Sequence, residues 1–126
     1  MKNAKNYLIP ALAFFLSACD PGYEITWEVR NHSSSAITVT WLDVDVIRTQ
    51  SVEREGSLGI QFDGGLGYAP NAFESDSALI GSIIDDIRME DTLSCKKDWN
   101  DGKNWRFEGK KSKGVGVFFV EDADFQ

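Results

Sequence analysis

After its first twenty positions, the chain alternates apolar and polar residues in short runs. Tyr23, Ile25, Trp27 and Val29 alternate with Glu24, Thr26, Glu28 and Arg30, a period of two that marks a strand with one buried face. Asn31-His32-Ser33-Ser34-Ser35 is turn chemistry, and Ile37, Val39 and Trp41 then resume the alternation. The pattern predicts a hairpin with both tryptophans facing the core. Beyond Trp41 the apolar parity changes, with Val44 and Val46 falling between and after Asp43 and Asp45. A one-residue slip moves side chains to the opposite face, so a bulge or a switch between sheets is expected near Leu42. Residues 49–56 are polar and predict a loop. Leu58, Ile60 and Phe62 predict another strand, ended by Asp63-Gly64-Gly65.

Residues 66–77 are rich in Gly, Pro and Asn and predict a long surface loop. Over 78–91, the isoleucines at 80, 83, 84 and 87 fit either a helical face or strands. Gly81 and the β-branching favour strands with a turn at Asp85-Asp86. Ile87 and Met89 open a strand expected to run on to Cys95. The segment from Trp99 to Trp105 predicts a tight hairpin around Asp101-Gly102, since Asp-Gly suits the positive φ of a primed turn. Trp105 and Phe107 alternate with Arg106 and Glu108 before a Lys-rich turn, residues 109–114. Val115, Val117 and Phe119 face one way while Phe118 and Val120 face the other, which predicts a strand covered on both sides. The sum is an all-β protein: an antiparallel β-sandwich of immunoglobulin-like architecture with about seven strands and no helix. A small open barrel is the alternative.

The first residues follow a different pattern. Lys2 and Lys5 precede an apolar stretch from Tyr7 to Phe15, and Leu16-Ser17-Ala18-Cys19 follows. Nine residues of helix span only about 14 Å, against a ~30 Å hydrocarbon core, so this is no spanning helix. A positive start, a short apolar core and small residues at its end have the build of a secretory signal. Leu16-Ser17-Ala18-Cys19 resembles the lipobox of bacterial lipoproteins. The resemblance implies cleavage after Ala18, a diacylglyceryl thioether on Cys19 and usually a third acyl chain on its new amino group. It divides the chain into a cleaved signal over 1–18, a lipidated tether over 19–22 and one domain over 23–126. Two or more acyl chains give stable anchoring where one gives marginal binding. The mature part also resembles small lipoproteins of Bacteroidota, through Cys19-Asp20, the Trp27-Glu28-Val29-Arg30-Asn31 strand end with its Ser turn, and Phe118-Phe119-Val120-Glu121-Asp122. Members often carry no assigned activity. The address implied is the outer membrane of the cell envelope, facing the periplasm or the surface.

Removing the signal takes away Lys2 and Lys5 but no acid, so the formal charge moves from −7 for the full chain to −9. Such a chain is expected to repel nucleic acid and anionic headgroups. With Cys19 lipidated, Cys95 is the one thiol left of the two cysteines, and no internal disulfide can form. Within an apparent strand and without a neighbouring base, Cys95 is expected to be buried and inert.

Candidate chemistry is sparse. The single histidine, His32, stands beside three serines, but consecutive turn residues do not form a nucleophile, base and orienting group. Asp43/Asp45 and Asp85/Asp86 are paired carboxylates without an evident cleft, so no hydrolase is expected. Asp63-Gly64-Gly65-Leu66-Gly67 lacks the ending of a phosphate loop. Asp98, Asn100 and Asp101 partly match a calcium loop, yet the run is one residue short before Gly102 and position twelve is Gly109 rather than Glu. They are kept as a loose calcium candidate, and no other metal or cofactor is expected. Trp99 and Trp105 flank the expected Asp101-Gly102 turn; they either pair across it or stack on a sugar or a protein partner. The sequence thus predicts a non-enzymatic, membrane-anchored binding or structural module with an envelope protein as partner. A carbohydrate- or calcium-linked surface-binding domain is the alternative.

Overall fold

The alternating segments become the strands of two sheets in the computed structural model, which describes residues 22–126. The expected signal, Cys19 and residues 20–21 lie outside the described residues. One sheet contains β1 (Gly22–Asn31), β4 (Ser57–Leu66), β7 (Trp105–Gly109) and β8 (Lys113–Val120), in the order β4-β1-β8-β7. The other contains β2 (Ile37–Asp43), β3 (Val46–Val52), β5 (Ile84–Met89) and β6 (Leu93–Ser94), in the order β3-β2-β5-β6. This is the expected all-β sandwich, with eight strands. Neighbouring strands are antiparallel except β1 and β8, which run parallel with Glu24 opposite Lys113 and Asn31 opposite Val120. β8 therefore lies inside its sheet, with Phe118 and Val120 on the core face and Arg30 and Arg106 laid over Phe119 on the other.

The core lies between the layers. Ile25, Trp27 and Val29 of β1 meet Ile37, Val39 and Trp41 of β2, with Ile87, Phe118 and Val120 beside them. Trp27 is fully buried and stacks on Phe73 at 5.5 Å between centroids, while Trp105 meets it edge-on at 5.6 Å. Such pairs add about 0.5–1.5 kcal/mol each beyond the area they bury.

Several local expectations are overturned. β1 and β2 bury the predicted faces but do not pair; the chain arches from one sheet to the other. Alternation reports which face is buried and is identical for a hairpin and an arch. Asn31 decides between them. It is fully buried and donates from Nδ2 to the carbonyls of Ser35 at 2.9 Å and Val52 at 3.0 Å, while its Oδ1 accepts the backbone N–H of Ser33 at 2.9 Å. One amide thus satisfies the arch and ties it to β3 across the layers. Residues 46–52, expected mostly as loop, form β3; this edge strand leaves only Val52 buried, so it has no alternation to read. The parity change near Leu42 is a hairpin turn at Val44-Asp45, closed by the Asp43–Val46 pair. Asp63-Gly64-Gly65 does not end β4 but pairs with Ile25, Glu24 and Tyr23.

A helix where none was expected, α1 (Ala69–Ile80), replaces most of the expected loop over 66–77 and runs on into the segment expected as strand. Pro70 sits in its first turn, where a missing N–H costs nothing. Ala69, Phe73, Ser77 and Ile80 turn inward at helical spacing. No turn forms at Asp85-Asp86; β5 runs through it, and Asp85 is the extra residue of a bulge opposite Thr40 and Trp41. Ile84 and Ile87 both face inward despite their odd spacing for this reason. The strand expected to reach Cys95 turns back at Glu90 and Asp91, whose φ values are 55° and 57°.

Candidate functional site

The segment from Trp99 to Trp105 is not a hairpin. Its residues form a compact loop ending in a 3-10 turn over Gly102–Asn104, held by its own side chains. Asp98 Oδ1 accepts from the Asn100 N–H at 2.9 Å and Asp101 Oδ1 from the Lys103 N–H at 3.0 Å. Asn104 Nδ2 donates to the Asp98 carbonyl at 2.8 Å. These are self-capping turns. Asp98 and Asp101 thus each have one carboxylate oxygen engaged by backbone, and among the described residues no group of three or more His, Cys, Asp or Glu could hold a metal ion. Trp105 is only 4 % exposed, and its Nε1 donates to the Trp99 carbonyl at 2.8 Å. Trp99 is half-buried against the core. Trp105 packs edge-on to Trp27, not across a turn from Trp99, and has no free face for a ligand to stack upon.

The histidine–serine run is occupied in the same way. Ser33 is buried against Asn31, Ser34 donates from its N–H to Asp122 at 2.8 Å, and Ser35 reaches Glu90 at 3.3 Å. His32 packs on Phe119 at 4.9 Å with Glu55 3.8 Å from its Nδ1. Asp43 pairs with Arg48 at 2.6 Å, while Asp45 lies in the β2–β3 turn rather than on the same strand face. Asp63 accepts a hydrogen bond from Trp27 Nε1 at 2.8 Å. Cys95 is buried and free, and its thiol donates to the Lys97 carbonyl at 3.8 Å. Burial pushes its pKa up to about 11, so the thiol stays protonated and unreactive at neutral pH.

On the outer face of the β1–β8 sheet, Arg30 contacts Glu28 and bonds Glu108 at 3.0 Å. Burial opposes its charge, but hydrogen bonds and attraction from both glutamates outweigh it and raise its pKa above the usual arginine value. Arg30 and Arg106 lie 5.2 and 5.1 Å from the Phe119 ring centre. This ties charged side chains over a packed strand.

The surface that sequence reasoning missed is the tip of the β2–β3 hairpin. Leu42, Val44, Val46 and Ile47 are all exposed there, Val44 by 83 % and Ile47 by 70 %. Leu42 and Ile47 are register partners and share a face. On one side of the tip lies a cleft of about 470 Å³ lined by Thr26, Trp41, Asp43, Val44 and the β4 residues Gly59 to Phe62. On the other, Leu42 and Ile47 border a groove of about 200 Å³ with Ile83, Ile84 and Asp85. Phe62, 63 % exposed, extends the apolar rim. The backbone is strained at its apex: Val44 has φ 58°, whereas Asp45 has none of the positive φ found at Val44. Positive φ at the first central residue alone is the type II′ pattern, where glycine is the usual occupant. A β-branched residue there is an outlier. The signal was present as four apolar residues within six positions, but parity reading assigns them to a bulge.

Comparison of the chain with protein-family models, with curated proteins and with solved structures gave no match.

Proposed function

We propose that this protein is a lipid-anchored envelope lipoprotein, acting as a non-catalytic binding module that docks a protein partner through its β2–β3 hairpin tip. The observation that carries the reading is Val44, an apolar, β-branched side chain 83 % exposed on a backbone with φ 58°. Each of these features costs free energy, and strain of this kind concentrates where a side chain is held out for a task. The clustering of Leu42, Val46, Ile47 and Phe62 around it exceeds the single exposed apolar residues normal for a surface. The apolar apex with its flanking clefts suits a convex anchor and a concave rim, the arrangement of a protein-binding hot spot. Anchoring is read from Leu16-Ser17-Ala18-Cys19, with only two residues, Asp20 and Pro21, separating Cys19 from Gly22 at the start of β1.

Two measurements test the two halves. Incorporation of a labelled fatty acid is expected in the wild-type protein and absent from Cys19→Ala; equal labelling in both refutes the anchor. A photo-crosslinking side chain at position 44 or at position 62 is expected to trap a discrete partner in intact cells, and Val44→Asp should abolish trapping from position 62 in the otherwise folded protein. Trapping that survives Val44→Asp, or none from positions 44 and 62, refutes the docking surface.

A further inference from the structure

The net charge of −9 for the mature chain counts acids and bases without saying where they stand. β8 starts beside the start of β1, so the β7–β8 turn is held against the end where the chain enters the domain. Glu24 is the register partner of Lys113, and its N–H donates to the Ser112 carbonyl at 2.9 Å. β4 ends there too, with Leu66 opposite Gly22. The first residue of α1 closes the ring: the Ala69 N–H donates to the Lys111 carbonyl at 2.7 Å, and Lys111 Nζ lies 5.7 Å from the Tyr68 ring centre. Lys110, Lys111 and Lys113 are all exposed, as are Leu66 and Tyr68. Glu24 offsets one of the three charges, and Asp76 borders the groove beside Tyr68. Several turn acids stand at the opposite end. Glu55 lies at Asn31, Asp122 follows the end of β8, and Glu90 and Asp91 form the β5–β6 turn, with Arg54, Arg88 and Lys96 as exposed cations near them.

We propose that the Gly22 end of the sandwich is a docking face for anionic phospholipid headgroups, with Lys110, Lys111 and Lys113 supplying the charge and Leu66 and Tyr68 the interfacial contact. This rests on the lipid-anchor reading. Cys19 precedes Gly22 by three residues, which reach at most about 10 Å when fully extended. That reach is about one Debye length at physiological salt, so the lysines remain within electrostatic range of the headgroups whenever the lipid is inserted. Tyrosine is at home at such a boundary, having an apolar body and a polar tip. The remote acids reinforce the orientation, because an anionic surface repels that end and attracts the other.

Each cationic charge near an anionic surface contributes about a fivefold preference, and with Glu24 and Asp76 opposing two of the three lysines the docked orientation is favoured about fivefold at low salt. The test uses the full-length lipidated protein with a spin label on Ser112→Cys; buried Cys95 is spared. It is reconstituted on vesicles of phosphatidylcholine alone or with about a quarter phosphatidylglycerol. On the anionic vesicles the label should become shielded from a water-soluble relaxation agent. That shielding should vanish at roughly 0.5 M salt, and in Lys110→Glu/Lys111→Glu/Lys113→Glu. A protein that stays on both vesicles while its label remains equally exposed to water overturns this inference alone. A protein that washes off phosphatidylcholine vesicles overturns the anchor reading and this inference with it.

Discussion

Adding one methyl group at Gly116 should cost much of the stability of this domain. Gly116 lies on β8 directly opposite Trp27 of β1, facing the core. A Cβ at this position would lie 2.3 Å from Trp27 Cε3 and 2.5 Å from Cζ3. Carbon atoms in good contact are about 3.5–4.0 Å apart, so the indole would have to withdraw by roughly 1 Å or more. It has no free direction. Phe73 stacks on it, Trp105 abuts its edge, and its Nε1 is fixed to Asp63 at 2.8 Å. Overpacking a core costs about 1–3 kcal/mol, and disrupting a hydrogen bond to a charged acceptor adds about 1.5–3 kcal/mol. Gly116→Ala should therefore lose about 3–5 kcal/mol, or ~12–20 °C in Tm at about 4 °C per kcal/mol for a domain of this size. Urea unfolding followed by tryptophan fluorescence measures it. Gly59→Ala is the control, because the nearest atom to its Cβ is Thr26 Cγ2 at an ordinary 3.8 Å, and a change within about 0.5 kcal/mol is expected. In a Trp27→Leu background, Gly116→Ala should cost less than half as much, since the clashing ring is gone. Equal midpoints for Gly116→Ala and wild type, or the same loss in both backgrounds, would refute the close-packing argument.

Two further outcomes follow from local geometry and titration. Val44→Gly should raise stability by about 0.5–1 kcal/mol, because left-handed backbone costs a residue with a Cβ about 1–2 kcal/mol and glycine's extra chain entropy returns part of it; a less stable variant by urea titration would contradict the strain at the hairpin apex. Cys95, with its thiol pKa raised from 9.0 to about 11 by burial, favours the folded state fully below pH 9, and this contribution is lost as pH rises from 9 to 11. Two pH units correspond to at most about 3 kcal/mol. Cys95→Ala should flatten that stretch of the stability–pH curve, and an unchanged slope would show that the thiol is not the titrating group.

How far the sequence could be read depended on what each residue responds to. Strands with one buried face, such as Tyr23–Val29 and Ile37–Trp41, were legible because a two-residue period records burial directly. So was the covered strand around Val117. β3 escaped notice because an exposed edge strand has no buried face to alternate against, and α1 because Pro70, Asn71 and Gly67 suggest a loop while its inward residues include Ala69 and Ser77. The run Asp85-Asp86 suggested a turn, yet a bulge accommodates it within β5.

The candidate surface divides in the same way. The sequence supplied the lipobox-like run Leu16-Ser17-Ala18-Cys19, the two cysteines and an acidic total, since these need only the order and kind of residues. The arch at Asn31, the parallel pairing of β1 with β8 and the hydrogen bonds that engage Asp98, Asp101 and Trp105 involve partners that alternation cannot name. Charge was affected most. The sequence by itself determined that the chain is acidic, with a formal charge of −7, but only the tertiary structure decided that Lys110, Lys111 and Lys113 stand beside Gly22 while several turn acids lie at the far end. Coulomb interactions depend on distance, and the fold, through strand pairing between positions about ninety residues apart, sets those distances.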